Sequence, residues 1–175
     1  MRTAFRAMNI LETPRLALRE LTLADAPLIL ELVNEPLWLK FIGDRGVRSL
    51  ADAEGYIRKA ALASYAQHGF GLWLVQRKSD GASLGICGLI KRETFTDVDI
   101  GFAFLSRFHG QGYAAESAAA TLDHARCQLG LKRIVAITSP DNTGSIRLLE
   151  KLGLRFERML EMKPGDTVNV FAIDF

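Results

Sequence analysis

At 175 residues the chain has the length of one domain with a sizeable core rather than two. Its residues are 49% apolar and 24% charged, the ordinary balance of a soluble globular protein. A net charge of +2, with no Lys/Arg-rich run interleaved with aromatics, argues against a nucleic-acid partner, and no segment approaches the roughly 18 unbroken apolar residues of a membrane helix.

The chain opens M-R-T-A-F-R-A-M-N, positively charged but with no long apolar stretch behind it. That speaks against a secretory leader and for a cytoplasmic protein. Arg15 to Glu20 alternates apolar and polar residues, which predicts a strand with Leu16 and Leu18 inward. Thr22 followed by Asp25 resembles a helix start, and Leu23, Ala26, Leu30 and Val33 carry helical spacing up to Asn34-Glu35-Pro36. Trp38 to Arg45 reads as a short apolar, then Gly-rich connection. Ser49 caps a second helix over about Leu50 to Tyr65, with Asp52 and Glu54 in its first turn.

The period then changes. Gly71 to Arg77 is a predicted strand, Ser79-Asp80-Gly81 a hairpin turn, and Ser83 to Lys91 the returning strand. Asp97 to Leu105 is a third, with Val98, Ile100, Phe102 and Phe104 on one face; Gly101 in its middle suggests a bulge or a close backbone approach. A helix follows from Tyr113 to Leu129, closed by Gly130. Then come a buried strand over Arg133–Thr138, a short helix over Gly144–Leu152 ending at Gly153, and two strands near Arg155–Met162 and Thr167–Phe175 around a type II turn at Pro164-Gly165. There is no internal repeat and no linker, so residues 1–175 read as a single mixed α/β domain. Antiparallel hairpins come first, and one right-handed crossover runs through the long helix. Cys87 and Cys127 lie in apolar segments expected to be buried, and read as two reduced thiols rather than a disulfide. His68, His109 and His124 fall at no ligand spacing, so no metal is expected.

The most informative segment runs L-S-R-F-H-G-Q-G-Y-A from Leu105 to Ala114. Gly110 and Gly112 permit a sharp turn and bring bare N–H groups to the start of a helix, a ready site for phosphate or pyrophosphate. Residues 110–115, G-Q-G-Y-A-A, also satisfy the dinucleotide pattern G-x-G-x-x-G/A. That reading fails on context, because Ser106 to His109 separate the glycines from the strand and antiparallel-looking strands precede it. A phosphate-loop Gly-Lys-Ser/Thr ending is absent.

Arg107-Phe108-His109-Gly110-Gln111-Gly112 resembles the pyrophosphate loop Gln/Arg-x-x-Gly-x-Gly/Ala of the GNAT superfamily of acyl-CoA-dependent N-acetyltransferases. Asn142-Thr143-Gly144-Ser145 and Leu148 to Leu154 are similar to that family's second cofactor segment. Glu12-Thr13-Pro14-Arg15-Leu16 and Gly112-Tyr113-Ala114-Ala115-Glu116 are similar to its RimJ/RimL-like branch, which acetylates protein N-termini and other amines. The resemblance implies a central, mostly antiparallel twisted sheet of about seven strands with about four helices. It implies acetyl-CoA as co-substrate and an amine acceptor, and it leaves a homodimer open.

The same resemblance implies site roles. Phe108, His109, Gly110, Gln111, Gly112, Tyr113 and Ala114 would hold the pyrophosphate, with Arg107 either adding a cation or standing as a solvated loop arginine. Backbone groups near Phe104 and Leu105 would pair with the pantetheine arm as an added strand. Asn142 is both a helix cap and a candidate cofactor contact. Many members place a tyrosine where this chain has Leu149, which cannot donate a proton; the RimJ/RimL-like pattern has serine at the position of Ser145, so the acid role passes there. Asp99 is the first candidate base and Glu116 the second, each with a plainer reading as an ion-paired or helix-start acid. Trp38, Phe41, Tyr56 and Phe70 either line the acceptor pocket or belong to the core. The function implied is direct acetyl transfer to a primary amine. The alternative is a non-catalytic acyl-CoA-binding sensor or partner module.

Overall fold

The computed structural model describes residues 8–175; the absence of a leader was read from the first residues, most of which lie outside those described. Eight strands form one sheet: β1 (Asn9–Glu12), β2 (Leu16–Glu20), β3 (Leu72–Arg77), β4 (Ser83–Ile90), β5 (Val98–Phe104), β6 (Arg133–Thr138), β7 (Arg155–Lys163) and β8 (Asp166–Asp174), in the order β1-β2-β3-β4-β5-β6-β8-β7. All neighbouring pairs are antiparallel except β5 and β6, which run parallel on either side of the crossover through helix α5 (Tyr113–Cys127). The mixed, mostly antiparallel sheet is the one expected, with β1 as an additional strand. Its four residues are too few to show alternation, and pairing with β2 makes the strand.

The helices follow from their caps. A 3₁₀ turn at Leu23–Asp25, closed by Thr22 N–H donating to Asp25 Oδ2 at 2.8 Å, leads into α1 (Ala26–Leu32). Where the sequence suggests an irregular connection, the chain forms α2 (Pro36–Phe41). Pro36 reads as a terminator of the preceding helix, but at the first position of a helix its fixed φ and missing N–H cost nothing, and it starts the next one. Ser49 Oγ accepts from Asp52 N–H at 3.1 Å and caps α3 (Leu50–Ile57). That helix continues through a π turn at Arg58–Leu62 into α4 (Ala63–His68), so the helical run passes Tyr65. After β6 comes α6 (Thr143–Lys151). No helix among the described residues is long and apolar enough to cross a membrane.

The sheet separates two apolar layers. Leu18, Trp73, Cys87 and Ile100 pack with Ala118, Leu122 and Ala125 of α5 and Leu149 of α6. Leu74 and Ile86 face the other way, onto Ile29 and Leu32 of α1 and Ala53 and Ile57 of α3. Two expectations are corrected. The register of β5 is unbroken through Gly101, opposite Gly88; the bulge lies in β4, where Leu84 is the extra residue between Gly85 and Ser83 opposite Val75 and Gln76. Cys87 is buried as expected, but Cys127, at the last turn of α5, is exposed; both are free thiols.

Candidate active site

The sheet is open along one line. β5 and β6 pair only at Val98–Ile134 and Asp99–Val135. Beyond that point they part, while β5 stays paired with β4 to Phe104 and β6 with β8 to Thr138. Leu105 N–H donates to Leu84 O at 3.0 Å. Peptide groups of successive strand residues point to alternate sides, so those of Phe102 and Phe104 face the gap. The expected edge donor at Leu105 is therefore spent inside the sheet, and Phe102, which sequence reasoning missed, stands in the gap instead. His109 Nε2 and Phe104 O are 2.8 Å apart; a carbonyl only accepts, so Nε2 carries the ring proton.

Two cavities of about 440 and 380 Å³ occupy the gap. The larger lies at the start of α5 and is walled by Phe104, Phe108, His109, Gly110, Gly112, Tyr113 and Ala114. The smaller lies beside the start of β5 and carries Asp99, Tyr56, Arg45, Arg92, Lys163 and Asp166. They meet at shared walls formed by Trp38, Phe41, Phe102, Ala103, Asn142 and Ser145. Of the four aromatics read as either acceptor-pocket or core residues, Trp38 and Phe41 line both cavities and Tyr56 the smaller one. Phe70 lines neither cavity: it belongs to the core on the α5 face, its ring stacked on His68 at 5.6 Å between centroids.

The glycine turn has the predicted form. Gly110 and Gly112 have φ of +74° and +81°, values that disfavour any residue with a Cβ, and Gly112 is the N-cap of α5. The 3₁₀ turn Ser106–Phe108 uses the N–H groups of Phe108 and His109, which donate to Leu105 O at 2.9 Å and Ser106 O at 3.1 Å. The unpaired donors therefore begin two residues later than expected. Glu116 N–H makes the first bond of the helix, to Gly112 O at 3.0 Å. Among the described residues the N–H groups of Gly110, Gln111, Gly112, Tyr113, Ala114 and Ala115 have no protein acceptor. This run lies at the positive end of the helix dipole, where an anion is favoured.

The cation beside the loop is Arg15. Its Nη1 donates to Gln111 O at 2.9 Å, and its guanidinium lies 4.5 Å from the centroid of the Tyr113 ring. Arg107, read as either an added cation or a solvated loop arginine, is ion-paired with Glu31 of α1 and, like Arg15, lines neither cavity. Glu116 is also placed elsewhere than a base requires. Its carboxylate accepts from Thr13 Oγ1 at 2.5 Å, from Arg15 N–H at 3.0 Å and from Arg15 Nε at 2.6 Å, and it lines neither cavity. The Thr-Pro-Arg segment and the start of α5, two separate matches along the sequence, are thus the two halves of one clasp.

At the junction, Asn142 Oδ1 accepts from Ser145 N–H at 3.3 Å and caps α6. The Ser145 hydroxyl has no hydrogen-bond partner among the described residues. Leu149, one turn on, is buried in the core. Asp99 is 1% exposed. Its Oδ2 accepts from Arg92 Nε at 2.7 Å, and its Oδ1 has no partner among the described residues. Burial pushes the Asp99 carboxyl up to about 6, against the opposing charge and hydrogen bond of Arg92. An acid in this range is ionised at neutral pH yet basic enough to take a proton. Burial likewise raises the Tyr56 hydroxyl, opposed by the charges of Arg45 and Arg92. Neither arginine carries a motif that could have revealed it in the sequence. Among the described residues no group of three or more His, Cys, Asp or Glu is placed to hold a metal ion.

Residues 15–155 match the family described as the acetyltransferase (GNAT) domain. The YkkB protein of Bacillus subtilis (strain 168) is 35% identical over 95 residues, 53% of this chain and 55% of YkkB, so that match spans about half of each. The N-acetyltransferase YoaA of the same organism is 29% identical over 171 residues, 94% of this chain and 96% of YoaA. Among solved structures, RimL, a ribosomal L7/L12 α-N-protein acetyltransferase in complex with coenzyme A, superposes with a TM-score of 0.79 at 21% identity, covering 95% of this chain and 98% of RimL.

Proposed function

The chain belongs to the GNAT acetyltransferase family, and from that membership we propose that it moves the acetyl group of acetyl-CoA directly to a primary amine, acting as one domain in the cytoplasm. The observation that carries this reading is the meeting of two cavities at Ser145 and Asn142, one walled by Gly110, Gly112, Tyr113, Ala114 and Ala115 with their unpaired N–H groups and the other by a buried carboxylate. RimL, the neighbour with coenzyme A, is an α-N-protein acetyltransferase, and a protein N-terminal α-amine suits this site as acceptor.

The residues fit the co-substrate. The N–H run from Gly110 to Ala115 can surround a pyrophosphate, and the gap edge at Phe102 and Phe104 can pair with an extended amide arm. When bound, acetyl-CoA supplies a thioester carbonyl to which the amine nitrogen bonds as the carbon–sulfur bond breaks. An N–H of the gap edge polarises that carbonyl. Asp99 takes the proton that the amine gives up, directly or through one water. The Ser145 hydroxyl donates to the departing thiolate and is reprotonated by solvent. An α-amine with a pKa near 8 costs only about 1 kcal/mol to deprotonate at pH 7, against about 4.5 kcal/mol for a lysine near 10.4, so a weakly basic acceptor matches a base as mild as Asp99. A covalent acyl-enzyme has no support in Cys87, whose thiol is buried in the core and pushed up to about 11 by that burial.

Leu149, buried where many relatives place a tyrosine, favours the second reading, a non-catalytic acyl-CoA-binding module. Thiol release measured against peptides of varied N-terminus, polyamines and aminoglycosides separates the two. Turnover with any acceptor supports the enzyme; acetyl-CoA binding without turnover of any of them supports the module.

A further inference from the structure

We propose that the acceptor is a primary amine bearing a carboxylate a few bonds away, as in an amino acid or an acidic peptide N-terminus, and that Arg45 and Arg92 recognise the carboxylate. The inference deepens the acyl-transfer reading and rests on it for the identity of the smaller cavity. The wall of that cavity carries three cations, Arg45, Arg92 and Lys163, against two carboxylates, Asp99 and Asp166. One carboxylate oxygen of Asp99 is already held by Arg92 Nε. That bond fixes the Arg92 guanidinium, and its terminal N–H groups have no acceptor among the described residues.

Arg45, in the connection between α2 and α3, makes no hydrogen bond or ion pair among the described residues. Its acidic neighbour Asp44 is taken by Arg48. Tyr56, half-buried, senses the charge of both arginines and adds a hydroxyl without a partner among the described residues. Arg45, Arg92 and Tyr56 line one cavity, and guanidinium and phenol N–H and O–H groups are the donors that suit the two oxygens of a carboxylate. Arg92 touches Asp99 at 2.7 Å, so an amine beside Asp99 puts a carboxylate on Arg92 only if a few bonds separate the two. A polyamine presents the opposite pattern: its further ammoniums face three cations, Arg45, Arg92 and Lys163, with Asp166 the one carboxylate left besides Asp99, and the excess of like charge disfavours it.

The test pairs acceptors that differ in charge, with rates compared per neutral amine because amidation also lowers the basicity of the amine itself. Thiol release is measured with aspartate and glutamate against their fully amidated forms, with the amidated peptides Ser-Glu-Ala and Ser-Gln-Ala, and with spermidine. The same acids and amides are titrated by calorimetry onto the coenzyme A-saturated protein. The expected result is kcat/KM about tenfold higher for each acid than for its amide, as one charge-assisted contact supplies, with spermidine poorest. In Arg45→Gln the acid-to-amide ratio falls toward one, and Arg45→Lys restores part of it. The free acids and the peptide pair show which source of carboxylate the site takes. Equal rates for acids and amides, a preference for spermidine, or an unchanged ratio in Arg45→Gln overturns the inference while leaving acetyl transfer intact. Arg45-dependent binding of the acids without turnover of any acceptor overturns acetyl transfer and keeps the carboxylate site. Neither binding nor turnover removes both.

Discussion

The two cavities that meet at Ser145 are built from different materials. The larger one offers backbone: a run of unpaired N–H groups at the start of α5, two glycines in the left-handed region and the peptide groups of Phe102 and Phe104, with apolar side chains filling the walls. The smaller one depends on side chains, namely Asp99, Arg92, Arg45 and Tyr56, brought from β5, the end of β4, the connection after α2 and helix α3. A backbone-built site tolerates almost any residue that keeps the chain's path. A side-chain-built site changes its chemistry with each substitution. On the proposed reading, the contrast would give one protein a constant handle for a phosphorylated ligand and a variable surface for the second substrate.

The contrast is sharpest at the base. With Asp99→Asn, kcat/KM for the acceptor should fall about 10³-fold, within the usual range for loss of a positioned base. Its carboxyl must be ionised to accept a proton. With an acceptor whose amine is already neutral, the wild-type rate should therefore rise as pH climbs through about 6 and then level off, and in Asp99→Asn that rise should vanish. A pH–rate profile that keeps its acid limb in the variant removes Asp99 from the base role and leaves the smaller cavity without chemistry of its own.

On the backbone side the largest effect belongs to Gly112→Val. A β-branched residue at φ +81° is strained, and its Cβ would sit 3.3 Å from Arg15 Nη2. Strain of about 1–3 kcal/mol and the displaced N–H groups together should weaken acetyl-CoA binding about a hundredfold by calorimetry, with a melting curve showing the variant still folded. Undiminished affinity in the folded variant would place the pyrophosphate elsewhere. Between the two regions stands Ser145→Ala. It should cost about ten- to a hundredfold in kcat with a much smaller change in acetyl-CoA affinity, because water can replace the hydroxyl as donor. An unchanged kcat in a stable protein would reduce Ser145 to a helix-start residue.

This division of materials explains what could be read from the sequence. The glycine turn, the N-cap at Asn142 and the alternation along β5 are local, and a reading in chain order finds them. Asp99 was legible only as a carboxylate on the right strand. Its bond to Arg92 follows from the β4–β5 register, which sets Asp99 opposite Ile90, and its burial from the tertiary packing around it, neither of which a local pattern announces. Arg45 and Arg92 are ordinary arginines until the fold sets them on one wall. For Phe70 and Arg107 the plainer of the two readings holds. Phe70, just before β3, is packed in the core, and Arg107 in its turn pairs with Glu31 of α1. The register of the free edge was one residue off because only the bond from Leu105 to Leu84 fixes which peptide groups face the gap.

The smallest expected effect tests the clasp that holds the backbone-built side in place, and it separates two uses of one carboxylate. Burial alone raises the Glu116 pKa, but the hydrogen bonds from Thr13 and Arg15 outweigh it and hold the group below the ordinary carboxylate range. A depressed folded value means that the carboxylate's contribution to stability is present at pH above its unfolded value, near 4.3, and is lost as pH falls through the lower folded one. Glu116→Gln should therefore lower stability by about 1 kcal/mol at pH 7, a charge-assisted contact discounted for the exposure of Arg15. The difference should shrink toward zero in acid, where the wild-type side chain is itself neutral. Turnover with a good acceptor should stay within about twofold of wild type, because Glu116 touches neither cavity. A base at this position predicts the reverse: near-normal stability and a large loss of kcat that no acidification closes. Denaturant melts at two pH values beside one steady-state assay decide between them, and a collapsed kcat in a protein of unchanged stability would return Glu116 to the chemistry.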